Sequence, residues 1–305
     1  MKQNKELRVV EYPYCYAGWT AELQQGEAVF RSSLRPCLLP QAADEYRRRQ
    51  IYQNAGFEAE FCRIDQKDWS QYPPCEGLTR AFAQAVRQGL EQGKRLFLAG
   101  GYCNYAPAAL GGMAQALGPE TRLGLVWLDA HADNRILEGQ AGPLQMVSLP
   151  MAVITGQTLP AFRRQACGLE RPLAGENILA ADLRALDEDC AWNLREAGVN
   201  RLEAAAFEDE TAWRQAVEKL AGRVDALYLF VDGDILKPEL IPSYEGPVPG
   251  GHELETVARN IRIVMGTGKV QVFSPFCFDF DRGAADQQTH QSALALASAG
   301  LESWR

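Results

Sequence analysis

VWLDAHADNR, residues 126–135, runs from apolar positions straight into Asp129, His131 and Asp133 at alternate places. In an extended chain successive side chains point to opposite faces, so residues two apart share a face at roughly 7 Å per step. Such a segment aims a carboxylate, an imidazole and a second carboxylate at one point. Crowded carboxylates raise one another's pKa, so a positive charge is expected among them. A metal ion fits that demand. A solvated polar loop after a buried strand fits the pattern equally well, and these ten residues alone leave both open.

The rest of the chain narrows the choice. Its 305 residues, 47% of them hydrophobic, suffice for a substantial core. A net charge of −8 argues against nucleic acid or an anionic membrane surface as the main partner, because both need clustered Lys and Arg. Arg47, Arg48 and Arg49 stand together within EYRRRQIY and read as a solvated helix face. The opening MKQNKELRVVEY has no apolar signal region, and no window approaches the ~18 apolar residues of a membrane span, so a soluble, cytoplasmic protein is expected. Eight cysteines (Cys15, Cys37, Cys62, Cys75, Cys103, Cys167, Cys190 and Cys277) show no C-x-x-C spacing. In a long cytosolic chain they read as reduced thiols.

Strand and helix patterns alternate along the sequence. RLFLAG (95–100), LGLVWLDA (123–130), NILAADLRA (177–185), ALYLFVDGD (226–234) and KVQVFSPF (269–276) read as buried strands. Helices are expected over GLTRAFAQAVRQGLEQG, closed by Gly93, over LDEDCAWNLREAGV with its acidic start, and over HELETVARNIRIVMGTG. Continuous apolar strands alternating with helices predict an α/β fold whose mostly parallel sheet is covered on both faces. Nothing in the sequence splits the chain, so one domain over residues 1–305 is expected. In open α/β sheets ligands bind outside the carboxyl ends of the strands. Three strands here end in GGYCN (100–104), DAHAD (129–133) and DGDILKP (232–238), where Asp232 and Asp234 again stand two apart. Four carboxylates would be neutralised by two divalent ions, and oxygen donors with a single nitrogen suit Mn²⁺ or Mg²⁺. Two ions ~3.5–4 Å apart can lower the pKa of a shared water, which implies metal-assisted hydrolysis.

On these motifs the chain resembles the ureohydrolases, the family of arginase, agmatinase and formimidoylglutamase, whose signatures are a strand-end GGDH, DAHxD and DxDxxDP. NILAADLRALDEDCAWNLREAG and PVPGGHELETVARNI are similar to further family stretches, in the same order and spacing. The resemblance implies a three-layer α/β/α sandwich, trimers or hexamers, and a pair of manganese ions activating water against the guanidinium or amidine carbon of a small substrate. Carried over by position, Asp129 and Asp232 would serve both ions, His131 and Asp234 would complete one position, and Asp133 with Cys103 the other. Asp133 would also be the catalytic acceptor of a hydrogen bond from the attacking water. Asn134 and Arg135 fall where the family contacts the far end of its substrate, and Arg135 could grip a substrate carboxylate.

The departures cluster around that site. Cys103 stands where the family has the histidine of GGDH, Lys237 replaces the third Asp of DxDxxDP, and Val147 in VSLP replaces a histidine thought to shuttle protons. No acid lies between Lys269 and Phe278, where the family keeps a glutamate that grips guanidinium. The remaining histidines read as structural, His252 ahead of a helix and His290 on the last helix. Sulfur at Cys103 predicts an asymmetric pair or a single ion, with Zn²⁺ or Fe²⁺ possible beside Mn²⁺.

Three functions follow from this pattern. One is a metal-dependent hydrolase of C–N bonds in a linear amidine or guanidino compound other than arginine. Another is a catalytically impaired relative with a binding or regulatory role. The third, a nucleophilic Cys103, needs a base that His131 supplies only when free of metal, inside a ring of carboxylates that raises the thiol pKa. An aspartyl phosphatase reading of FVDGDI leaves DAHAD unexplained, and no phosphate-cradling glycine loop supports nucleotide binding.

Overall fold

The computed structural model describes residues 5–14, 18–32, 42–244, 246–278 and 287–304. Its strands are β1 (Lys5–Glu11), β2 (Thr20–Gln24), β3 (Glu27–Arg31), β4 (Phe57–Arg63), β5 (Arg95–Ala99), β6 (Leu123–Asp129), β7 (Leu144–Gln145), β8 (Ile178–Asp182), β9 (Asn200–Leu202), β10 (Ala226–Asp232) and β11 (Val270–Phe276). Eight of them form one sheet in the order β4-β1-β5-β11-β10-β6-β8-β9. Every pairing in it is parallel. A small antiparallel sheet, β3-β2-β7, stands apart from it.

Central position explains the apolar runs. Every residue of β6 and of β10 is buried. Along β6, Leu125 and Trp127 enter one core while Val126 and Leu128 enter the other, and β10 divides Tyr228 and Phe230 from Leu227, Leu229 and Val231 in the same way. A period of two with both faces apolar is what a sheet between two helical layers requires. Trp127 and Phe230 stack on one face with ring centroids 3.7 Å apart. That face is covered by the helices Pro74–Glu91 and Ala106–Leu117, through Leu78, Phe82, Val86, Leu110 and Met113. Each such side chain, fully buried, stabilises the fold by about 1.5–3 kcal/mol. The other face receives Glu210–Ala221, Leu254–Met265 and Gln287–Ser303, through Trp213, Val217, Val257, Ile261 and Leu296. The result is the expected three-layer sandwich.

Two strands end earlier than their composition suggests. The strand expected over 177–185 stops at Asp182, because Asp182 and Leu183 take left-handed backbone (φ 73° and 49°). That expected to reach 234 stops at Asp232, whose carboxylate accepts a hydrogen bond from the Asp234 amide and closes a short turn. Arg47 is not simply solvated: its guanidinium lies 3.8 Å from the centre of the Phe61 ring and pairs with buried Glu11. Arg48 and Arg49 fit the solvated reading better, both exposed and both paired with Glu45.

Among the described residues no helix is long and apolar enough to cross a membrane. Cys15 and Cys37 lie outside the described residues, and the other six cysteines are free thiols.

Candidate metal centre

All eight strands of the large sheet point the same way, so their carboxyl ends share one edge, and the candidate residues gather there. After β5 the chain turns through Gly100 and Gly101 to bring Cys103 back over the edge. Gly101 has φ 129°, and a Cβ there would lie 3.0 Å from the Phe276 ring, so only glycine makes this turn without strain. Its carbonyl accepts a hydrogen bond from the Cys277 amide at 3.0 Å, which ties the loops after β5 and β11 together.

DAHAD does not stay extended. Asp129 closes β6, while His131 and Asp133 lie in the loop beyond it, and Asp133 turns left-handed with φ 47°. The three side chains therefore do not form a row on one face; the turn sends them to two neighbouring positions. At the first, His131 Nδ1 lies 2.7 Å from Asp234 Oδ2 and 3.6 Å from Asp129 Oδ1. Tyr244 donates from its hydroxyl to the same Asp234 oxygen at 3.1 Å. At the second, Cys103 gathers with Asp129 and Asp133, and again with Asp232 and Cys277. The Cys103 thiol donates to Asp232 Oδ2 at 3.2 Å, and its sulfur lies 3.3 Å from that of Cys277.

In each of three sets one donor atom per residue lies within 4.8 Å of the others: Asp129, His131 and Asp234; Cys103, Asp129 and Asp133; Cys103, Asp232 and Cys277. All six expected metal-site residues are thus brought together, and Cys277 joins them. Asp232 groups with the thiols and not with His131.

Burial governs the electrostatics of the cluster. It pushes Asp129 and Asp133 well above the ordinary carboxylate range; neighbouring carboxylates reinforce the rise at both, while His131 opposes it at Asp133. Burial and then the Asp234 charge push Asp232 up to about 7. Burial works against charging His131, but its contacts with Asp129 and Asp234 outweigh it and push the ring up to about 12. Asp234 is held low despite burial, chiefly by His131. Contact with Cys277, then burial, lifts the Cys103 thiol, and burial lifts that of Cys277. Two buried oxygens, Asp129 Oδ2 and Asp133 Oδ2, have no hydrogen-bond partner among the described residues. Unpartnered buried carboxylate oxygens facing an imidazole and a thiol match what a divalent ion needs.

The residues expected to meet substrate are engaged otherwise. Asn134 is fully buried; its side chain donates to the Cys190 carbonyl at 2.8 Å and its carbonyl accepts from Asn193, which fixes the loop to the helix Glu188–Glu196. Arg135 is partly exposed and pairs with Asp187 at the start of that helix. Lys237 points away to pair with Glu253, and Val147 packs half-buried against the core. His252 is buried beside Asp182 and Glu208, and His290 lies on the last helix, both away from the donor sets.

Sequence reasoning missed Tyr244 and Cys277. Cys277 follows β11 directly, at the edge where the other candidates stand, and that position was the available signal. Tyr244 had none, since it reaches Asp234 through a loop.

Comparison with known proteins accords with this geometry. The chain is 30% identical over 178 residues to arginase of Bacillus caldovelox, covering 55% of this chain and 56% of that protein. It is 28% identical over 221 residues to formimidoylglutamase of Citrobacter koseri strain ATCC BAA-895, covering 71% of this chain and 64% of that protein. These matches thus span less than two thirds of either relative's length. The crystal structure of arginase from Bacillus cereus superposes with a TM-score of 0.79 at 18% identity, covering 98% of both chains. A profile of the arginase family matches residues 33–298. From that match over most of its length, the chain belongs to the arginase family.

Proposed function

We propose that this protein is a metal-dependent hydrolase acting on C–N bonds of a linear amidine or guanidino compound other than arginine. The observation that carries the proposal is the convergence of Asp129, His131, Asp133, Asp232, Asp234 and Cys103 at one sheet edge, with buried carboxylate oxygens left unpartnered. Asp129, His131 and Asp234 would hold one ion, Mn²⁺ by its donor set, and Cys103 with its neighbouring carboxylates a second for which Zn²⁺ or Fe²⁺ competes. Bound there, such ions supply Lewis acidity and acidify water.

The chain's own residues do the remaining work. Asp133 Oδ2, without a hydrogen-bond partner among the described residues, would take a proton from the attacking water. Asp234, held by Tyr244, keeps His131 oriented. Arginine is disfavoured because β11 and the two residues after it carry no acid to face a guanidinium. A carboxylate-bearing amidine could pair with Arg135 once that side chain leaves Asp187. We include assembly into trimers or hexamers in the proposal, which light scattering tests.

The test is ammonia or urea release from a panel of amidines and guanidino compounds, carboxylate-bearing ones included, with protein loaded with Mn²⁺ or Zn²⁺. Turnover of a compound other than arginine, lost on chelation and reduced ~100-fold or more by Asp133→Asn, is the expected result. Val147 and the missing acid favour a second reading, a binding or regulatory relative, and metal-loaded protein that turns over nothing would decide for it.

A further inference from the structure

We propose that Cys277 is a metal ligand, so that Cys103, Cys277 and Asp232 form a two-thiolate position selective for a soft divalent ion of the zinc class. The inference rests on the metal-centre reading above and extends it to a residue outside the family's donor pattern.

Geometry carries the argument. Around a tetrahedral zinc ion with Zn–S ~2.3 Å and Zn–O ~2.0 Å, two sulfurs lie ~3.8 Å apart and a sulfur and an oxygen ~3.5 Å apart. Here the two sulfurs are 3.3 Å apart and the Cys103 sulfur is 3.2 Å from Asp232 Oδ2. Both distances fall short of those by about half an ångström or less, a gap of the size that small side-chain rotations span. The thiols come from different loops, after β5 and β11, yet the hydrogen bond from Cys277 N to Gly101 O fixes those loops to each other. Cys277 takes left-handed backbone, φ 62°, which turns its side chain back toward the edge. A residue with a Cβ holds that conformation at a cost of about 1–2 kcal/mol, so its position is imposed by the surroundings. Asp129 and Asp133 gather with Cys103 in a second set, so the same sulfur faces carboxylates on its other side.

Chemistry selects the ion. Each thiol loses its proton when it binds, so two protons leave per ion, and a contact in which one S–H faces another sulfur becomes a pair of ligands. Two thiolates among the donors favour a soft ion, whose bonds to sulfur are short and strong, over the oxygen-preferring Mn²⁺.

The probe is Co²⁺, titrated into the full chain after chelation, under anaerobic conditions with a non-thiol reductant. The expected spectrum has a near-ultraviolet sulfur-to-cobalt charge-transfer band whose intensity falls by about half in Cys277→Ser and in Cys103→Ser, vanishes in the double variant and survives in His131→Ala. Full intensity in Cys277→Ser overturns the proposal. Co²⁺ bound with no sulfur band also overturns it while leaving the metal-centre reading intact; failure of Co²⁺ and Mn²⁺ alike to bind defeats both. Should Cys277→Ser not fold, X-ray absorption of the wild-type protein loaded with zinc decides instead. Two sulfur scatterers at ~2.3 Å support the assignment, and one or none overturns it.

Discussion

The two halves of the proposed metal centre sit side by side on one sheet edge but are built on different principles. One half is stiff and hard: Asp234 is fully buried, its oxygens are taken by the Ala130 amide, the Tyr244 hydroxyl and His131, and the ring it orients offers a single nitrogen. The other half is soft: two free thiols and a carboxylate, joined by the contacts of Cys103 with Asp232 and Cys277 and by the backbone bond between their loops. The two halves thus differ in the hardness of their donors, oxygen and nitrogen in one and mainly sulfur in the other.

The sharpest way to break this comparison is to remove the residue both halves share. Asp129 belongs to a donor set in each, so Asp129→Ala is expected to weaken ion uptake at both by more than ~100-fold, read as metal content by mass spectrometry after dialysis. One ion retained per chain would show that the halves are independent. A smaller effect is expected from Tyr244→Phe, which removes only the hydroxyl that fixes Asp234. Mn²⁺ affinity should fall ~10-fold while binding of a thiol-seeking ion is unchanged, as isothermal calorimetry with each metal would show. Equal losses for both metals would mean that Asp234 supports the whole centre. The smallest effect belongs to Lys237→Asp, which restores the acid of the family motif in sequence alone. Because Lys237 turns outward to Glu253, affinity should move by less than about twofold and stability by at most ~0.5 kcal/mol, measured by calorimetry and denaturant unfolding.

How legible these features are in the sequence depends on how locally each is determined. β6 and β10 are continuous apolar runs because helices cover both their faces, and chemistry at their ends stands out against that background. The edge strand β4 alternates Phe57, Glu58, Ala59 and Glu60 over one turn of chain, too short a pattern to separate from a loop. DAHAD suggests a metal site by composition, but the left-handed turn at Asp133 that divides it between two positions leaves no mark on residue type. Cys277 is one cysteine after one strand; only the sheet order, which places β11 next to both β5 and β10, makes it a neighbour of Cys103 and Asp232.

Three of the carboxylates share a habit with a consequence for exchange. Asp129 Oδ1 accepts from the His131 amide, Asp232 Oδ1 from the Asp234 amide and Asp234 Oδ1 from the Ala130 amide. Each has committed one oxygen to the backbone, so each would offer an ion its other oxygen first. With one oxygen of each held back, an ion bound here would keep part of its shell for small exchangeable molecules.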